Sequence, residues 1–156
     1  MKKIAAVGIS SGIVAVIWTM ISFTTGLSTV AGFLAWSSFF AAGGNLEGFK
    51  KAMAGNLSGI FWGMLMANLS NLAIPYLGRN GAITLFNGIG SGIICLQSKF
   101  SFVSFIPAGF IGWSAYLASE MNFNITIISM IIGSILGFTS EKFTDILLNT
   151  WSRKYN

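Results

Sequence analysis

The chain has 156 residues, 54% of them hydrophobic and only 8% charged, with a net charge of +5. Soluble domains run at roughly 45–50% apolar and about 25% charged residues, so too few charges are present to cover a water-exposed surface, and lipid is the expected solvent. The nine Lys and Arg are scattered at the ends of apolar runs rather than gathered on a face, which argues against nucleic acid. The lack of His and the single Cys95 argue against disulfide frameworks and the usual zinc sites.

Taken in order, the apolar segments are Ile4 to Phe23, Ser28 to Gly43, Phe49 to Leu72, Gly81 to Gln97, Phe102 to Ser119 and Phe123 to Phe138. The first follows Met1-Lys2-Lys3 and could pass for a secretory signal. Its length of about 20 residues exceeds a signal core, however, and no small-x-small cleavage site follows, so it reads as the first span. The second and sixth are short for a crossing of about 17–25 residues. Pro75 and Gly78 are placed to end the third span, and Pro107 is placed to bend the fifth or delay its start. From Glu141 to Lys154, Phe143, Ile146, Leu147 and Trp151 recur at helical spacing among polar residues. That pattern predicts a continuation of the last span or an amphipathic interfacial tail over 141–154, serving as a surface anchor or for partner docking.

Internal matches organise these segments. Gly8-Ile9-Ser10-Ser11-Gly12-Ile13 returns as Gly88-Ile89-Gly90-Ser91-Gly92-Ile93, Ala31-Gly32-Phe33-Leu34-Ala35-Trp36-Ser37 returns as Ala108-Gly109-Phe110-Ile111-Gly112-Trp113-Ser114, and Gly55/Gly59 return as Gly133/Gly137. The chain is thus one unit used twice, about 4–76 and about 81–148, within a single transmembrane domain. Each unit holds three spans, so the second must lie upside down relative to the first. The predicted fold class is an all-α polytopic membrane protein of six transmembrane helices in two inverted three-helix repeats.

Charge fixes the orientation. With both termini cytoplasmic, Lys2, Lys3, Lys50, Lys51, Lys99, Lys142, Arg153 and Lys154 lie inside and only Arg79 outside, as the positive-inside rule requires. Glycines four apart, at Gly8/Gly12, Gly55/Gly59/Gly63, Gly88/Gly92 and Gly133/Gly137, share helix faces and are the expected helix-packing seams.

Chemistry within the spans is sparse. Glu47, Glu120, Glu141 and Asp145 all fall near segment ends, and no triad, carboxylate pair or metal set is present. The expectation is therefore no catalytic residue, no metal and no cofactor. Without ionisable groups in the spans, a passive path for a small neutral solute is favoured over a proton-coupled carrier. The pore-lining or substrate-binding candidates are Phe33, Trp36 and Ser37, their repeat mates Phe110, Trp113 and Ser114, and the intramembrane amides Asn56 and Asn87. Each has a structural alternative: the tryptophans as interfacial anchors, the asparagines as interhelical hydrogen-bonding groups, with Asn68 and Asn71 in the same category.

The block from Gly32 to Gly44, Gly-Phe-Leu-Ala-Trp-Ser-Ser-Phe-Phe-Ala-Ala-Gly-Gly, continued by Gly55-Asn56-Leu57-Ser58-Gly59-Ile60-Phe61-Trp62-Gly63, resembles the domain-of-unknown-function family 1097 of small bacterial inner-membrane proteins. The resemblance covers most of the chain and implies a polytopic protein of the bacterial inner membrane. It brings no functional residues with it. The expected function is a channel or facilitator for a small uncharged polar solute such as urea, an amide, an amine or a neutral weak acid, working as a homo-oligomer in the lipid bilayer. A non-transporting scaffold or accessory subunit and a coupled secondary transporter are the alternatives.

Overall fold

The computed structural model describes residues 2–153; Lys154, counted above among the inner charges and in the tail, lies outside them. The described residues are helical with no strand. The elements are α1 (Lys2–Thr25), α2 (Thr29–Ala41), α3 (Asn45–Leu96), two 3-10 turns at Gln97–Lys99 and Ser101–Val103, α4 (Ile106–Ala118) and α5 (Phe123–Arg153). Among the described residues three helical stretches are long and apolar enough to cross a membrane, Lys2–Thr25, Asn45–Lys99 and Phe123–Arg153, and α2 and α4 are shorter apolar helices.

Local chemistry explains the boundaries. Gly26 at φ 71° turns the chain out of α1, and the Ser28 side chain then caps α2 by accepting from the Ala31 N–H. Gly43 and Gly44, both at positive φ, make the tight reversal into α3. There the Asn45 carboxamide oxygen accepts from the Glu47 N–H at 2.8 Å, while Glu141 of α5 accepts from the Asn45 N–H at 2.9 Å. A carboxylate at that helix N-terminus satisfies an otherwise orphaned donor.

The third and fourth segments form one helical path broken inside α3. Pro75 keeps its helical conformation, and the break falls at Gly78, whose φ of 68° and ψ of 163° lie in a region open essentially to glycine. It separates limbs of residues 45–77 and 79–96. The fifth segment begins later than its hydropathy suggests, because the chain from Gln97 to Val103 is in 3-10 turns and Pro107 sits in the first turn of α4, where a missing N–H costs nothing. Both α2 and α4 therefore have 13 residues. At about 1.5 Å per residue each is about 20 Å long, short of a hydrocarbon core of about 30 Å. The sixth segment is the reverse case: α5 runs unbroken for 31 residues, carrying the expected short span and the following tail as a single helix.

The short helices each lie along a long one. Ser28 meets Ser129, Gly32 meets Gly133 and Trp36 meets Ser140, so α2 runs parallel to α5. Gly55 meets Ala108, Gly59 meets Gly109 and Gly63 meets Trp113, so α4 runs parallel to the first limb of α3. Close approach is the reason for glycine here: a Cβ on Gly59 would overlap the Gly109 carbonyl, and one on Gly133 the Gly32 carbonyl. The remaining glycine pairs differ from the sequence expectation. Nothing lies within 4 Å of a Cβ on Gly8, Gly12, Gly88 or Gly92, so these are not seams within the chain. Their spacing places each pair on one helix face, but among the described residues nothing packs against that face at these glycines.

Candidate functional site

The interior centres on an apolar cluster of Ala31 and Ala35 from α2, Ile60 from α3, Ala115 and Tyr116 from α4, and Met130 from α5, with Met64 and Ala67 packed at its edge. One turn further along three of these helices, on the same faces, stand polar residues: Ser38 beyond Ala35, Asn56 before Ile60 and Ser134 beyond Met130. All three are fully buried, and Ser38 Oγ, Ser134 Oγ and both Oδ1 and Nδ2 of Asn56 have no hydrogen-bond partner. Other hydroxyls on these helices behave differently. Thr126, Ser140 and Thr144 each donate to a carbonyl one turn earlier, the usual way a helix satisfies Ser and Thr.

Beyond this polar layer the same helices present aromatic rings. Phe39 lies 6.3 Å and Phe49 6.1 Å, centroid to centroid, from Phe138, both edge-on, and the Lys142 ammonium stands 5.3 Å from the Phe138 ring. From the cluster, α2 and α5 run toward these rings and α3 runs from them. The order apolar, polar, aromatic is thus repeated on three helices.

On the opposite side of the cluster a cavity of about 370 Å³ opens between the two limbs of α3 and the end of α4. Ala67, at the edge of the cluster, lines it, as do Ser70, Asn71, Arg79, Asn87 and Trp113. Arg79 makes no ion pair or hydrogen bond among the described residues.

The sequence candidates are distributed between these places. Trp113 is buried against Gly63, Gly90 and Met66 and borders the cavity together with Asn87. Trp36 is buried, donates from Nε1 to Ser140 Oγ at 3.2 Å and stacks on Phe33, and Phe33, Trp36 and Ser37 line a separate, shallow groove with Ser11, Ala15 and Phe40. Trp36 and Trp113 thus line different pockets. Their members match in exposure, Phe33 at 37% with Phe110 at 38%, Trp36 at 5% with Trp113 at 8%, and Ser37 and Ser114 both exposed. Asn56 is the one candidate in the polar layer.

Sequence reasoning missed Ser38, Ser134 and Gln97. Gln97 Oε1 accepts from Ser58 Oγ at 2.5 Å and Trp62 Nε1 at 2.9 Å, tying the start of the 3-10 segment to α3. For the serines a signal existed: Ala35/Ser38, Asn56/Ile60 and Met130/Ser134 each pair a polar with an apolar residue at helical spacing. Nothing in one sequence says that the three faces converge.

Long apolar helices, an interior in which no Asp, Glu, Lys, Arg or His is buried among the described residues, and large hydrophobics such as Ile4, Val16, Met20 and Phe23 turned outward define a helical membrane protein. Residues 8–145 match the family described as "Protein of unknown function (DUF1097)", and the chain belongs to that family. It is 33% identical over 149 residues to the "Uncharacterized protein YahC" of Escherichia coli, covering 90% of each chain. It is also 33% identical over 142 residues to the "Inner membrane protein YcdZ" of Escherichia coli, covering 90% of this chain and 85% of that one. The protein of the same name from Salmonella typhimurium is 30% identical over 142 residues, covering 90% of this chain and 87% of that one. No solved structure matches.

Proposed function

We propose that the protein is a channel or facilitator for a small uncharged polar solute in the bacterial inner membrane, built as six crossings in two oppositely directed halves with both termini in the cytoplasm. The location follows the names of the YcdZ relatives. The inverted arrangement is supported by the crosswise packing, in which the short helix of each half lies parallel to a long helix of the other and touches it glycine to glycine. The two glycine contacts correspond under the repeat if α3 is matched to α5 one helical turn away from the register suggested by Gly55/Gly59 and Gly133/Gly137.

The observation that carries the transport reading is the series met along α3. A polar-lined cavity ends on an apolar cluster, a polar layer follows, aromatic rings close the far side, and none of the cationic or anionic residue types occurs between Lys51 and Arg79. An apolar constriction at the end of a polar-lined cavity suits a gated path for neutral molecules, because a charge would lose its hydration there without replacement. The filled cluster is also what a non-conducting scaffold would contain.

Flux separates these readings. Purified protein in liposomes should raise the permeability to urea, acetamide or formamide above that of empty vesicles, without a pH gradient. Protein that keeps its helical content and thermal midpoint but adds no permeability to any of them refutes the transport reading.

A further inference from the structure

We propose that the cavity between the two limbs of α3 is a binding site for a small aliphatic carboxylate anion, held by Arg79. The site goes beyond the transport reading, because an anion held there need not cross. Gly90 meets Met66, and the two are equidistant in sequence from Gly78, so the limbs run back alongside each other and residues equally far from the break share a level. Ser70 and Asn71 on the first limb therefore stand near the level of Asn87 on the second, roughly 10–14 Å from the break at about 1.5 Å per residue. Arg79, next to the break, stands at the mouth.

The chemistry of the lining selects the occupant. Ser70, Asn71, Arg79 and Asn87 all line the cavity, and none of their side chains makes a hydrogen bond or ion pair among the described residues. Ser70 is only 6% exposed, yet its hydroxyl does not donate to a carbonyl one turn earlier as Thr126, Ser140 and Thr144 do, and so is free to donate to an occupant. No Asp or Glu lines the cavity; Glu120 borders a separate depression with Ser28 and Asn122. The Arg79 guanidinium matches a carboxylate in bidentate fashion, and the Ser70 hydroxyl and the Asn71 and Asn87 amides are suited to its remaining lone pairs. A single cation balances a monoanion and leaves a dianion such as sulfate half compensated. Ile74, Ile83 and Leu117 on the same walls cover an alkyl chain. A cation is repelled by Arg79, and a neutral amide gains nothing from its charge.

The test uses the full chain in dodecyl maltoside, a detergent without phosphate, at neutral pH, where carboxylates are ionised. Butyrate is the probe, with butyramide and butylammonium as neutral and cationic controls of the same chain length. Butyrate should raise the thermal midpoint saturably and the controls should not. Arg79→Gln, which alters an exposed side chain, should weaken half-saturation by about tenfold or more and bring butyrate to the level of butyramide, with Arg79→Lys recovering part of the loss. Ser70→Ala, which adds no bulk, should weaken it by a smaller factor, about threefold. A midpoint that ignores butyrate, that responds equally to butyramide, or that is unchanged by Arg79→Gln overturns the assignment. A response present in micelles but abolished in phosphatidylglycerol nanodiscs gives Arg79 to a lipid phosphate and also overturns it. Liposome flux reads the two proposals separately. Urea flux through protein that does not respond to butyrate removes the anion site and keeps the channel, whereas saturable butyrate binding without flux of any neutral solute removes the channel and keeps the site.

Discussion

Replacing Gly133 with Ala tests the helix crossing on which the architecture depends. A Cβ there would fall within 3.0 Å of the carbonyl oxygen, carbonyl carbon and Cα of Gly32, all of them backbone atoms that cannot rotate away. Restoring ordinary contact would move α2 from α5 by roughly 1 Å, and overpacking of this kind costs about 1–3 kcal/mol. Alanine's better helix propensity returns less than about 1 kcal/mol. For a chain of this size the net cost corresponds to a fall of about 2–10 °C in the thermal midpoint, read by circular dichroism of the purified protein in detergent. Gly59→Ala meets the Gly109 backbone in the same way and should fall by a similar amount. Gly8→Ala and Gly92→Ala, with nothing within 4 Å of the new methyl, should be neutral or gain up to about 1 kcal/mol. Equal effects at the four positions would refute the reasoning, because helix propensity alone does not distinguish them.

Gly78→Ala should destabilise the protein by about 1–3 kcal/mol although no atom lies within 4 Å of the added carbon, since φ 68° with ψ 163° is strained for any L side chain; the thermal midpoint reads it. Glu141→Ala leaves the Asn45 N–H without its acceptor at the start of α3 and should cost about 0.5–1.5 kcal/mol, with Glu141→Gln recovering part of the loss in the same melt. In a Cys95→Ser background, a cysteine at Arg79 or Glu120 should react with an impermeant maleimide added to intact cells, and one at Lys50 or Asp145 only after lysis. Labelling of all four from outside would end the both-termini-inside topology.

Much of the fold is legible in the sequence because its causes are local or compositional. Low charge and long apolar runs make lipid the only workable solvent. Ile4 to Phe23 reads as a helix and forms Lys2–Thr25, and Gly78 ends the third segment because its backbone geometry belongs to glycine whatever surrounds it. The aromatic-small blocks around Trp36 and Trp113 match in sequence, and they match in burial as well. Length along the membrane is less legible. Hydropathy extends the fifth segment back to Phe102, yet the backbone from Gln97 to Val103 takes 3-10 turns and Pro107 starts α4 late.

What only the tertiary structure decided is which helix faces meet. Gly8/Gly12 and Gly55/Gly59 have the same spacing, and one pair faces open space while the other lies against a neighbouring helix, because spacing specifies a face and not its partner. Ser38, Asn56 and Ser134 are separated along the chain and unremarked in composition. Each is buried one turn from the same apolar cluster because α2 and α5 run parallel and α3 runs against them. Amino-acid sequence sets the solvent, the breaks and the period of each helix, whereas the convergence of distant side chains is a property of how the helices are packed.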